Sequence, residues 1–133
     1  MPMGWQSPIP PVWTLIWRLL MEFEQHERNG VLVVRIFSRK VVHSNSDEFK
    51  AEMTDLIRKG GKQLLLDLSE VEFIDSRGLG VFISILKSVG PGGSLALCSL
   101  NDNVYKVFEL TKLDKFFAMY ADIDSAIRAM RGS

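Results

Sequence analysis

One short stretch of the chain combines a carboxylate, a hydroxyl and two glycines at a spacing that could carry chemistry. Asp75 and Ser76 are adjacent, and Gly78 and Gly80 follow within the next four residues. An Asp or Ser at the start of a helix usually caps it by accepting a hydrogen bond from a free backbone N–H. Capping does not explain the glycines, each of which costs a helix about 1 kcal/mol relative to alanine. The pattern indicates a close backbone approach, or a surface without side chains, around Ser76.

The hydroxyl of Ser76 suits reversible phosphorylation. A phosphate adds about −1.5 to −2 charges, and the free N–H groups and dipole of a helix N-terminus favour it. Asp75 would be a neighbour of like charge, so the modified turn would be strongly negative. A partner that fits the neutral hydroxyl would then be repelled. We therefore predict an electrostatic switch at Ser76.

Other chemical signatures are missing from the sequence. It contains no GxGxxG, phosphate-binding loop or GxSxG motif. Cys98 and two distant histidines, His26 and His43, cannot supply the four ligands of a structural zinc site. We expect both histidines at the solvated surface and Cys98 packed as a small hydrophobic residue, with a redox sensor as the less favoured alternative. The sequence predicts no catalytic residue, no metal site and no cofactor, and so no enzyme.

Composition indicates one globular domain. The chain has 133 residues, of which 47% are hydrophobic and 24% charged, and its 16 basic residues balance 16 acidic ones. Balanced charge argues against a nucleic-acid partner, because proteins that bind nucleic acids usually carry an excess of basic residues to neutralise the phosphates. A single cysteine excludes a disulfide-stapled scaffold and favours a reducing cytoplasm. We expect a cytoplasmic monomer.

Residues 1–20 differ from the rest of the chain. They hold all three tryptophans, four of the five prolines and no acidic residue. The apolar run from Val12 to Leu20 is interrupted by Arg18 and is shorter than the about 20 residues that cross a bilayer, so we expect no membrane association. We predict a non-native or disordered leader, with the domain occupying residues 21–133. A short amphipathic segment that docks on a partner or packs on the domain is the alternative.

From Met21 onward, apolar runs of strand length alternate with helical periodicity. A hairpin is predicted at 23–28 and 31–36 across Asn29-Gly30. Further strands are predicted at 63–68, 94–100 and 116–120. Helices are predicted from the Ser44-Asn45-Ser46 cap to about Arg58, then at 76–89, from Asn101/Asp102 to 110, and at 123–130. The apolar residues assigned to the first three helices are Phe49, Met53, Leu56 and Ile57; Leu79, Phe82, Ile83, Leu86 and Val89; and Val104, Val107, Phe108 and Leu110.

This alternation predicts an α/β fold, with a mixed, mostly parallel sheet of four to five strands and crossover helices. The Asp75-Ser76 turn then lies between the central strand and the second helix, at the carboxyl ends of the strands, where ligands and partners gather.

The residues around this turn resemble a known family. The match extends over Leu64-Leu65-Leu66-Asp67-Leu68 and continues from Val71 through Asp75-Ser76-Arg77-Gly78-Leu79-Gly80 to Phe82. This pattern resembles the signature of STAS domains, specifically of bacterial anti-sigma factor antagonists. Gly92 to Leu97, Val107 to Leu113 and Ser125-Ala126 are similar to the family's usual ending, so the resemblance covers about residues 21–130.

The resemblance implies a STAS-like fold and a cytoplasmic partner-switching protein. Its unmodified form would bind an anti-sigma factor that is also a serine kinase, and would thereby free the sigma factor. The kinase would phosphorylate Ser76 with its own ATP, and a phosphatase would reset the protein. The implied partner-binding residues are Asp75, Ser76, Arg77, Gly78, Leu79, Gly80, Arg39, Lys40 and Ser44.

Two places depart from the family pattern. The family commonly has Gly-Glu-Leu-Asp where this chain has Ser38-Arg39-Lys40-Val41-Val42, in a loop that forms part of the family's partner surface. Arg77 replaces a small residue and would either extend into solvent, which we slightly favour, or pair with a phosphate on Ser76. The altered loop motivates an alternative function, a constitutive scaffold in a larger signalling or lipid-transport assembly in which Ser76 is never modified. Nucleotide binding or hydrolysis at the turn is the least favoured hypothesis.

Overall fold

The computed structural model describes residues 23–131, and the prediction made for residues 1–20 lies outside this range. Within it the chain forms seven strands, four α-helices and one 3-10 helix. The strands are β1 Phe23–Arg28, β2 Val31–Ile36, β3 Lys40–Val41, β4 Gln63–Asp67, β5 Phe73–Ile74, β6 Ser94–Cys98 and β7 Ala118–Tyr120. The helices are α1 Ser46–Arg58, α2 Ser76–Val89, α3 Asp102–Leu110 and α4 Ile123–Arg131, with the 3-10 helix at Leu113–Lys115.

The main sheet confirms the predicted mixed α/β class. Its five strands lie in the order β1-β2-β4-β6-β7, with β1 antiparallel to β2 and the other neighbours parallel. Asn29 and Gly30 both have positive φ, 55° and 84°, as a two-residue hairpin turn between twisted strands requires. The predicted hairpin is therefore present, with β1 at the edge of the sheet.

Helices cover both faces of the sheet. Leu64 and Leu66 of β4 belong to the larger core, which contains side chains of α1, α2 and α3, whereas Leu65 belongs to a smaller core under α4. A row of aromatic rings, each edge-on to the next, ties the larger core together. Ring centroids are separated by 5.3 Å for Phe49–Phe82, 5.8 Å for Phe82–Phe108 and 5.3 Å for Phe108–Phe117. This packing fixes α1 and α2 side by side, which matters because the candidate site lies at their N-termini.

Three predicted strands are too long. β4 ends at Asp67 because its carboxylate Oδ1 accepts a hydrogen bond from the Ser69 N–H and turns the chain. β6 ends at Cys98 because Ser99 adopts a positive φ of 62°. β7 begins at Ala118 because Phe116 still terminates the 3-10 helix. Two short strands, β3 and β5, were not predicted, since two residues carry no detectable periodicity.

The helix predictions also need correction. Asn45 precedes α1, but its side chain makes no capping bond. It accepts from the Val42 N–H and donates to the Lys40 carbonyl instead, so it orders the preceding loop. Leu110, assigned to the apolar set of α3, is 73% exposed because it is the last residue of the helix. In α2 the buried face also includes Val81 and Ile85, whereas Ile83 and Leu86 are only partly buried.

Candidate partner-binding site at the Ser76 turn

A small second sheet brings the basic loop to the Ser76 turn. β3 pairs in parallel with β5, with Lys40 opposite Phe73. The Arg39 carbonyl accepts from the N–H groups of Glu72 (2.7 Å) and Phe73 (3.2 Å). The predicted partner-binding residues Arg39 and Lys40 therefore lie beside the strand that leads into Ser76, although Lys40 and its strand partner Phe73 are 33 positions apart in the sequence.

Asp75 holds the turn together with both carboxylate oxygens. Oδ1 accepts from the Gly78 N–H at 2.8 Å and caps α2, and Oδ2 accepts from the His43 N–H at 3.0 Å. These bonds, that to Gly78 above all, lower the pKa of Asp75 from its ordinary value of 3.8 against a smaller opposing effect of desolvation. Asp75 is thus an anion at neutral pH that joins the β3–α1 loop to the start of α2.

Ser76 is the first residue of α2 and is exposed. No acidic side chain lies in the first turn of α2. Among the side chains at this end of α2, only the ionised Asp75 cap offsets the partial positive charge of the helix N-terminus. Ser76 therefore lies on the surface at the start of α2.

The surroundings of Gly78 and Gly80 differ, so the two glycines have different roles in the helix. A Cβ on Gly78 would overlap the Val41 carbonyl oxygen and lie 2.8 Å from the Val41 carbonyl carbon. A Cβ on Gly80 would meet nothing within 4 Å. The close backbone approach predicted from the sequence is therefore confirmed at Gly78, where α2 touches β3. Gly80 is exposed and leaves the helix surface open without any packing need.

Arg77 is exposed, as the favoured interpretation expects, and it also contacts an acidic side chain of the neighbouring helix. Its Nη2 lies 3.7 Å from Oδ1 of Asp47, in the first turn of α1, with 53% of the arginine side chain exposed. In the neighbouring loop, Arg39 pairs with Glu72 at 3.3 Å. Ser44 is exposed between β3 and α1. Leu79 belongs to α2 and is buried on the face of the helix that packs on the core. Leu79 therefore supports the site from within rather than lying on its surface.

Sequence reasoning missed the exposed aromatic side chain of Phe73. It is 51% exposed although it belongs to a strand. Its neighbour Ile74 is buried, and because side chains alternate along a strand, Phe73 must face the other way. The sequence offered no signal for this exposure, because a strand of two residues shows no periodicity. A large aromatic group therefore stands three residues before Ser76, next to Lys40.

The remaining candidates lie apart from this site or under the surface. His26 is exposed on β1 and His43 on the β3–α1 loop. Cys98 is fully buried as predicted, and burial raises the pKa of its thiol to about 12. Within residues 23–131, no three His, Cys, Asp or Glu side chains are placed to hold a metal ion. Over the same range no helix has the length and apolar character to span a membrane.

Fold and site together define a small mixed α/β domain that presents an exposed serine beside a basic loop and an exposed aromatic ring. The sequence model of the STAS domain family matches residues 22–126. The chain therefore belongs to the STAS domain family, as its motif predicted.

The names of similar proteins indicate which kind of STAS protein this chain resembles. A Thermotoga neapolitana protein with the provisional name of anti-sigma factor antagonist is 38% identical over 103 residues, or 76% of this chain and 91% of the relative. The anti-sigma F factor antagonist of Paenibacillus polymyxa is 30% identical over 112 residues, or 83% and 92% of the two chains. A crystal structure of a Thermotoga maritima protein, again provisionally named as an anti-sigma factor antagonist, superimposes with a TM-score of 0.74. It is 37% identical, with 82% of this chain and 94% of that one covered. These relatives are named as antagonists of anti-sigma factors.

Proposed function

We propose that this protein is an anti-sigma factor antagonist that acts by partner switching at Ser76. The observation that carries the proposal is the exposed Ser76 hydroxyl at the first position of α2, held in place by Asp75. The names of relatives that cover most of the chain support it. In this proposal the partner is an anti-sigma factor with serine-kinase activity, a phosphatase resets the switch, and the protein works as a cytoplasmic monomer.

The unmodified surface suits a protein partner. Phe73 offers an exposed aromatic anchor, and such residues contribute strongly when a partner buries them. Gly80 leaves room on α2 for the partner's backbone or side chains to approach. Lys40 lies along the same edge, opposite Phe73, and favours an acidic partner surface, while Arg39 beside it pairs with Glu72. The neutral Ser76 hydroxyl lies next to these features, so a charge added to it is felt by the bound partner.

Phosphorylation of Ser76 would weaken the binding of this partner. Ser76 Oγ attacks the γ-phosphorus of ATP held by the kinase, the bond to ADP breaks, and the hydroxyl proton passes to a base of the kinase. The phosphoserine then adds about −1.5 to −2 charges beside the ionised Asp75. A partner surface fitted to a neutral hydroxyl would have to desolvate this charge, and the complex would dissociate. The phosphatase restores the hydroxyl: water attacks the phosphorus, the bond from phosphorus to Ser76 Oγ breaks, Oγ takes up a proton, and inorganic phosphate is released.

Binding to a purified cognate anti-sigma factor kinase tests this proposal. Ser76→Ala should bind like the wild type and accept no phosphate, whereas Ser76→Asp should bind at least about tenfold more weakly, the effect of one unfavourable charge at an interface. Ser88→Ala, which removes an exposed hydroxyl near the other end of α2, is the matched control and should behave like the wild type. Equal affinity of Ser76→Asp and wild type would refute the electrostatic switch. A stable complex with a non-kinase partner and no phosphate on Ser76 would establish the scaffold alternative instead.

A further inference from the structure

The ion pair between Arg77 and Asp47 joins the N-termini of two helices at the switch. Asp47 lies in the first turn of α1, and Arg77 directly follows Ser76 in α2. The helices themselves are fixed by buried contacts such as Phe49–Phe82. The pair is therefore not needed to hold α1 against α2, and its partners are free to exchange.

The pair is also weak. Its atoms are 3.7 Å apart, and the two side chains are 53% and 74% exposed. Exposed pairs of this kind contribute little because water screens them and both side chains lose freedom. Asp47 has a second source of stabilisation, since an acidic group in the first turn of a helix interacts favourably with the helix dipole. If Arg77 turned to another partner, the Asp47 carboxylate would lose little electrostatic stabilisation.

A phosphate on Ser76 offers Arg77 a stronger partner. It carries up to two charges and three acceptor oxygens, and the planar guanidinium matches such a group with two parallel hydrogen bonds. Ser76 and Arg77 are the first two residues of α2, so the long arginine side chain must bend around the helix end to reach the phosphate. Among the other charged groups around the turn, Asp75 is an anion and Arg39 already pairs with Glu72. Lys40 lies opposite Phe73 across the small sheet, and His43 contacts Asp75 through its backbone N–H.

We infer that Arg77 is a positioning residue with two partners, Asp47 in the unmodified protein and the phosphate of phosphoserine 76 in the modified one. This inference rests on the proposed phosphorylation of Ser76. When Arg77 transfers, Asp47 loses its counter-charge. The negative surface then extends from the start of α2 across to the start of α1, so the modification changes the charge of two helix ends rather than one residue. The basic residue that departs from the family pattern thus spreads the effect of the phosphate.

Phosphorus-31 NMR of the full chain, with phosphoserine installed at position 76 by genetic encoding, tests the exchange without any kinase. The measured quantity is the midpoint of the phosphate titration between pH 4 and 8. A cation close to the phosphate favours the dianion and moves the midpoint to lower pH. Arg77→Gln should therefore raise the midpoint by about half a pH unit, the size expected for one charge about 4–5 Å away in a solvated site. Asp47→Asn, which removes the competitor for Arg77, should leave the midpoint at or below the wild-type value.

Arg58→Gln is the matched control, because it removes an exposed arginine from the far end of α1. Its midpoint should equal that of the wild type. If Arg77→Gln has the wild-type midpoint, Arg77 stays with Asp47 and the inference is wrong. If Arg58→Gln shifts the midpoint as much as Arg77→Gln, the effect is one of net charge, and the inference is equally wrong. Because the phosphoserine is genetically encoded, neither result depends on whether a kinase modifies Ser76 in the cell.

Discussion

Substituting alanine for each of the two glycines of α2 separates a packing role from a surface role. At Gly78 the new methyl group would overlap the carbonyl oxygen of Val41 and crowd the carbonyl carbon at 2.8 Å. These are backbone atoms of β3, so they cannot rotate away as a flexible side chain would. At Gly80 the same methyl group would meet no atom within 4 Å. The two changes are chemically identical and two residues apart on one helix.

The two substitutions should change the free energy of unfolding in opposite directions. Overpacking against fixed atoms costs about 3 kcal/mol, the upper part of the usual range. Alanine returns about 1 kcal/mol relative to glycine inside a helix. Gly78→Ala should therefore lose about 2 kcal/mol, or about 8–10 °C in melting temperature for a domain of this size. Gly80→Ala should gain about 1 kcal/mol, because only the helix propensity changes.

Urea denaturation of the unmodified full chain, followed by circular dichroism, measures both values. Equal stability of Gly78→Ala and wild type would show that α2 does not need its close approach to β3, and the account of this site would be wrong. Binding to the anti-sigma factor adds a second readout. If Gly80 leaves room for the partner, Gly80→Ala should bind at least several-fold more weakly while being more stable. Unchanged affinity would remove Gly80 from the partner surface.

Three further predictions concern residues around the site and in the core. Asp75 has a lowered pKa, so its stabilising effect is complete above its ordinary value of 3.8 and is lost as the pH falls through the lower folded value. The stability difference between wild type and Asp75→Asn should therefore shrink in urea titrations from pH 5 to pH 2, and a constant difference would contradict the role of the ionised carboxylate. Asn101→Ala should cost about 2 kcal/mol in urea denaturation. It removes the cap on the Val104 N–H (2.8 Å) and the donor to the Val71 carbonyl (2.9 Å), each worth about 1 kcal/mol, and Asn101→Asp, which keeps only the cap, should lose about half as much. The Cys98 thiol, with a pKa of about 12 and no exposure, should not react with a disulfide reagent at pH 8 until the protein is unfolded in urea, and rapid labelling of the native protein would place it at the surface.

Much of the fold could be predicted because its signals are local. The alternation of apolar runs with helical periodicity locates the strands of the main sheet, and Asn29-Gly30 fixes the hairpin. The ends of strands were less predictable, since β6 stops where Ser99 adopts a positive φ, a conformation that its residue type does not announce. β3 and β5 could not be found, because two-residue strands form only through their pairing with each other.

The centre of the site could be predicted, but its surroundings could not. Asp75 and Ser76 are recognised from the residues themselves, and the structure places them at a strand-to-helix turn, although the strand before them is β5 of the small sheet and not the predicted central strand β4. The contact between Arg77 and Asp47 joins positions 30 residues apart, and the His43 N–H reaches Asp75 across 32 residues. Neither contact leaves a pattern in the sequence. The two glycines illustrate the same limit, since the sequence indicated a special need near Ser76 and only the structure assigns close packing to Gly78 alone.

The proposed switch is tested most directly by the state of Ser76 in the cell. The protein should be isolated from its native cells at several growth phases and analysed by intact mass with peptide mapping. The account predicts a phosphate on the peptide that contains Ser76, at an occupancy that changes between growth phases. Protein that stays unmodified at Ser76 in every phase would contradict partner switching by phosphorylation, and its co-purifying partners would then define a constitutive scaffold.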